Sequence, residues 1–93
     1  MKIESVQVFS DEISAAVIQR PGMPCPGVVM LGSTLYLLCK KADDLCLSTQ
    51  PGSVLGRELS HLRGALWGYL NHYKSVLDEH KMPLPFPEVD DLS

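Results

Sequence analysis

Chemistry in this 93-residue chain would have to come from three histidines, three cysteines and a few carboxylates. His61, His72 and His80 fall within one long stretch of helical pattern, where a metal site of the HExxH type needs two ligands four residues apart on one face. None of the three has such a partner. His61 and His72 share a face but stand roughly 16 Å apart along the helix axis, too far for one ion to take both. Glu58, three residues before His61, would need further ligands from elsewhere in the fold. The histidines read as surface imidazoles, and no metal is expected.

Nucleophilic catalysis finds no better footing. Cys25 lies between Pro24 and Pro26 without an evident base, and neither a GxSxG elbow nor an SxxK motif occurs. Asp43-Asp44 and Asp78-Glu79 are adjacent in sequence, and adjacent positions on a helix diverge in direction, so both pairs read as solvated faces. There is no GxGxxG and no Walker loop. The cysteine count is odd, and Cys25, Cys39 and Cys46 form no CxxC pair. Cys39 and Cys46 sit about 10 Å apart along a helix, beyond the reach of a disulfide. Free thiols are expected. No catalytic residue and no cofactor follow from these residues.

Anion binding is the one chemistry with candidate groups. Gln19 to Gly27 packs three prolines and two glycines into nine residues, a composition that makes a stiff, shaped loop. Arg20 opens it. Downstream, Gly32-Ser33-Thr34 presents a helix start with free amides and two hydroxyls, which favours a carboxylate or phosphate. If loop and helix start are neighbours, Arg20, Ser33 and Thr34 hold a small anion or nucleotide. In the plainer alternative the loop is a rigid crossover and Arg20 pairs with Glu4 or Glu12.

The elements that position these groups follow from periodicity. Glu4 to Phe9 alternates with Val6 and Val8 on one face, as in a half-buried strand. Ser10-Asp11-Glu12 marks a turn, and Ile13 to Gln19 places Ile13, Ala15 and Val17 on one face of a second strand, so the two form an antiparallel hairpin. Val28 to Leu31 is a continuous apolar run of the kind found in a strand covered on both sides. Ser33 is the expected cap of a first helix carrying Leu35, Leu38, Ala42 and Leu45 at helical spacing. Ser48 to Gly52 ends it, and Ser53 caps a second helix reaching His80. In that helix Leu55, Leu59, Leu62, Leu66, Leu70, Tyr73 and Leu77 advance by threes and fours. At roughly 40 Å it outruns a small sheet, so part of it is expected to pack on another copy. Trp67 falls beside the stripe. Gly64 and Gly68, four apart, suit close approach by the sheet or first helix, with a dimer seam as the alternative.

The fold expected is α+β: a small antiparallel sheet of three N-terminal strands followed by two antiparallel helices, the second long. Residues 1–82 form one domain. Residues 83–93 form a Pro-rich acidic tail, in which Leu84 and Phe86 alternate with prolines and latch onto the domain while Glu88, Asp90 and Asp91 stay solvated.

Arg20-Pro-Gly through Pro26-Gly-Val-Val29, the helix start at Gly32-Ser33, the Leu-rich helix closing in Tyr73 and His80, and Pro83-Leu-Pro85 together resemble a small bacterial family of unknown function. The resemblance spans nearly the whole chain and implies this same fold and a bacterial or phage origin. It carries no catalytic residue. Where the family has a second basic residue this chain has Met23, and where the family is more polar it has Leu31-Gly32-Ser33-Thr34.

Composition narrows the function classes. With 45% hydrophobic residues and 20% charged the chain holds one core, yet a domain this small gains much from a partner. Net charge is −3 and the basic residues are scattered, so nucleic acid is not an expected partner. The N-terminal segment lacks the apolar run of a signal peptide, and no stretch reaches the ~20 apolar residues that span a bilayer, which points to the cytoplasm. The leading expectation is a non-catalytic interaction module of immunity or regulatory type, self-associating, with Trp67, Tyr69 and Tyr73 as aromatic anchors on the long helix. The second is the small-anion site at Arg20, Ser33 and Thr34.

Overall fold

The computed structural model describes residues 3–10 and 15–87. Three strands, β1 (Gln7–Ser10), β2 (Ala15–Gln19) and β3 (Gly27–Met30), precede two helices, α1 (Gly32–Leu47) and α2 (Val54–Glu79). The sheet runs β1-β2-β3 with both pairings antiparallel. This is the expected α+β architecture. Asp11 to Ser14, with the turn read there, lie outside the described residues, as do Glu88, Asp90 and Asp91 of the tail.

Local chemistry explains the boundaries. After β2, Arg20 to Met23 closes a turn in which the Met23 amide donates to the Arg20 carbonyl, with Pro21 in second place and Gly22 at φ +90° in third. That is a type II turn, which needs a residue free to take positive φ at this place. The Gln19 side-chain amide donates to the Met23 carbonyl at 2.9 Å and fastens the loop to the strand. α1 starts earlier than its hydroxyls suggested. Leu31, not Ser33, is the cap residue, in extended conformation and without a side-chain cap bond. The start is set from outside the helix, because the Tyr73 ring fills the space that a β-carbon on Gly32 would take.

α1 ends as Ser48 and Thr49 turn their hydroxyls back to the carbonyls of Asp44 and Leu45. Ser53 then caps α2, its hydroxyl accepting from the Gly56 amide at 2.9 Å. α2 closes with Lys81 in the left-handed region (φ +56°), where Lys81 donates to the Asp78 carbonyl and Met82 to that of Leu77. These paired bonds satisfy carbonyls that a helix end leaves open.

The helices pack as an antiparallel hairpin, and the core lies between them. Cys39, Ala42, Trp67 and Leu70 are its buried hydrophobic residues, with Leu35, Tyr36, Leu66, Tyr73 and Phe86 packed around. Phe86 returns from the proline-rich segment to stack on Tyr36, ring centroids 4.6 Å apart and planes within 5°. The sheet contributes nothing to this core. Val28, Val29, Met30 and Leu31, expected under cover on both sides, are 64, 44, 42 and 44% exposed. β1, expected half-buried, leaves Val8 and Phe9 nearly 60% open. Among the described residues, no helix is long and apolar enough to cross a membrane.

The Gly32–Tyr73 contact gives a test. Gly32→Ala is expected to destabilise the fold by about 1–3 kcal/mol, because an added methyl overpacks against a ring held by its neighbours. Combining it with Tyr73→Leu should cost less than the sum of the two single changes, as measured by urea unfolding.

Candidate functional site

The charged groups on α1 and α2 converge at one place only partly foreseen. Asp43, read as a solvated carboxylate, has a side chain 13% exposed, while the neighbouring Asp44 is open to solvent. Its Oδ1 accepts from Arg63 Nε at 2.5 Å and from the Trp67 indole N–H at 2.8 Å. The Arg63 guanidinium also lies over the Trp67 ring, 5.8 Å from its centroid. A buried indole must find a hydrogen-bond partner, and Asp43 provides it. Trp67 is consequently 2% exposed. It sits in the middle of the core rather than beside the apolar stripe, and it presents no anchor to a partner. A signal for this was available in the sequence: Asp43 follows Ala42 and stands four residues after Cys39, on the side of α1 that is buried.

The other aromatic candidates divide. Tyr73 is half-buried, set against Gly32 and 6.3 Å from the Phe86 ring, so it too serves the core. Tyr69 is 69% exposed. Gly64 and Gly68 have nothing within 4 Å of where a β-carbon would sit, so neither marks a close approach by the sheet or first helix.

The structure does not bring Arg20 together with Ser33 and Thr34. Register sets them apart: Ile18 pairs with Gly27 at one end of the β2–β3 ladder and Ala15 with Met30 at the other. Arg20 continues beyond the first end, and Ser33 and Thr34 follow the second. At ~3.4 Å per residue the ladder alone separates them by about 10 Å. Arg20 Nε instead meets Glu4 Oε1 at 2.5 Å, the pairing named in the plainer alternative. A shallow cleft of about 390 Å³ opens beside it, lined by Ser5, Val6, Gln7, Gln19, Arg20 and Met23 together with the turn.

No group of three or more metal-ligating side chains occurs among the described residues. Cys25 is exposed, Cys39 buried and Cys46 half-buried, and all three are free thiols. A family model for DUF6959, a family of unknown function, matches residues 1–86. The chain belongs to that family. No curated protein and no solved structure matches it. The DUF6959 match ends at Phe86, the residue that closes the aromatic stack on Tyr36, so it takes in the sheet, both helices and the returning segment.

In this DUF6959 chain the open sheet with its cleft and one flank of α2 are the places where large apolar side chains stand exposed. The Asp43 cluster serves packing, and its removal tests that role. Asp43→Ala should lower stability by about 1–3 kcal/mol, since it removes the acceptor of the buried Trp67 indole N–H and the carboxylate beside Arg63. Asp43→Asn, which keeps an acceptor, should cost less. Urea unfolding followed by the emission of Trp67, the one tryptophan, reads both.

Proposed function

We propose that this protein is a non-catalytic interaction module whose partner-facing surface is the three-stranded sheet and the Pro/Gly loop at its end. The observation that carries the reading is a sheet apolar on both faces whose outer strands stand exposed, Val8, Phe9, Val28, Val29 and Met30 among them. Val17, Val28 and Met30 share one face by register; Val8, Ile18, Ala16 and Val29 share the other. An antiparallel sheet with one wet face alternates apolar and polar residues, and β3 does not. Its four residues, Gly27–Met30, also carry no charge, although β3 is an edge strand. Edges are usually blunted by charge, proline or a bulge. β1 has such a bulge between Val8 and Ser10, whereas β3 is left open to pair with an incoming strand.

The surroundings favour a foreign partner for this surface. Ser5, Gln7, Gln19 and Arg20 rim the cleft at its end, and a mixture of apolar centre and polar rim is the composition of interfaces between proteins that also exist apart. The loop is held by its type II turn and by Gln19, so little ordering is needed on binding. Occupying a partner in this way suits a regulatory or immunity-type protein. The alternative of a small-anion site at Arg20, Ser33 and Thr34 gains no support from the geometry, because those groups line no common cleft.

Val29→Lys tests the proposal. Placed on an open strand, the change should alter stability by no more than about 0.5 kcal/mol. In quantitative capture from the producing cell, the protein retained by the wild-type chain should fall at least tenfold with the variant. Equal retention by both chains would contradict a binding role for the sheet.

A further inference from the structure

α2 presents a second unfilled surface, and its pattern differs from that of the sheet. α1 has 16 residues and α2 has 26, so at ~1.5 Å per residue α1 reaches along only about 24 of roughly 39 Å. Leu55, Leu62 and Tyr69 are 63, 51 and 69% exposed and stand seven residues apart, with Val76 one further step on. Leu59, Leu66 and Tyr73 interleave with them. The alternation of fours and threes from Leu55 to Val76 is a heptad repeat sustained over three heptads, the pattern by which one helix packs along another.

The two sides of the hairpin can be told apart. Asp43 meets Trp67 and Arg63 on one side. At ~100° per residue, Leu38 and Leu45 of α1 and Leu55, Leu62 and Tyr69 of α2 all fall toward the other. Leu38 and Leu45 are 38 and 47% exposed and are themselves seven apart. One flat side of the hairpin is thus apolar on both helices. The chain exposes 7146 Å², where a compact monomer of 10.2 kDa exposes about 5,300 Å². This side of the hairpin, like the open sheet, contributes to that excess.

We infer that this side is the contact between two copies of the chain, which join as a four-helix bundle with the α2 helices antiparallel at its centre. Antiparallel pairing about an axis beside Ala65 and Leu66 sets Leu62 of each copy against Tyr69 of the other and Leu55 against Val76. It also brings Glu58 toward His72, whereas parallel pairing would oppose Glu58 to itself. The seam suits self-association because an apolar centre of Leu55, Leu62 and Tyr69 is met by its own copy while Glu58 and His72, of opposite tendency, face each other at its edge. The inference rests on the reading of this protein as an interaction module and assigns the second of its two surfaces.

Light scattering on the eluting 93-residue chain, at tens of micromolar, is the test. The expected mass is twice the 10.2 kDa of one chain. A mass of one chain would overturn the seam and leave the sheet reading untouched. Leu62→Glu/Tyr69→Glu should halve the mass while the helical circular dichroism and Trp67 emission stay native. Leu62→Gln, a milder change at an exposed position, should raise the dimer dissociation constant at least tenfold. Ser75→Glu, on the opposite side of α2, should leave the dimer intact. A dimer unaffected by the Leu62 variants, or dissociated equally by Ser75→Glu, would contradict the assignment.

Discussion

The contact of α1 with α2 is the constraint on which the rest of this structure depends. At one end Tyr73 lies against Gly32, where the absent side chain lets the ring in, and at the other Asp43 holds the Trp67 indole and the Arg63 guanidinium. Between them stand Cys39, Ala42 and Leu70. The returning segment adds Phe86 to the Tyr36 ring, and β3 runs through Leu31 straight into the first turn of α1. Release α1 and the sheet loses its anchorage, the aromatic stack loses a wall, and α2 becomes an isolated helix.

That line of packing is narrow. Among the described residues four hydrophobic side chains are buried, a small core, and the larger share of the apolar side chains described lies outside it. Burying a Leu, Val or Phe side chain is worth about 1.5–3 kcal/mol, so the side chains left in water represent more stabilisation than the domain has yet used. The two surfaces on which they gather are of unlike character. On the proposed reading the α2 seam, whose apolar residues repeat every seven positions, meets a second copy. On the same reading the short, apolar sheet, edged by a structured loop with a polar rim, meets a different protein.

Much of the fold was legible in the sequence because it rests on local rules. Alternation marked the first two strands and a continuous apolar run the third, Ser48 to Gly52 the break between helices, and Ser53 the cap of α2. The departures came where tertiary contact overrode local preference. Ser33 looked like a cap, but Tyr73 chooses where α1 begins by filling the space above Gly32. Trp67 looked like an anchor, but Asp43 satisfies its indole and allows full burial; the core-facing side of α2 is accordingly centred on Trp67 and Leu70 rather than on Leu55 and Leu62. Periodicity reports that a helix has an apolar stripe and does not report which of two neighbours the stripe meets. Val28 to Leu31 illustrates the same limit. The run correctly marked a strand, but the cover expected on both of its sides is absent, and Val28 to Leu31 stand exposed. Arg20 and Ser33 were separated by strand register, which spacing along the chain does not reveal.

The central claim is that the folded domain gains further stability by association of its helices with those of a second copy. Urea unfolding of the wild-type chain, read by Trp67 emission over a hundredfold range of protein concentration, tests it most directly. Coupling of folding to dimer formation raises the midpoint with concentration, by about 1 M urea over that range for a chain of this size. A midpoint that does not move would show that the monomer carries all of the stability, and would contradict the account.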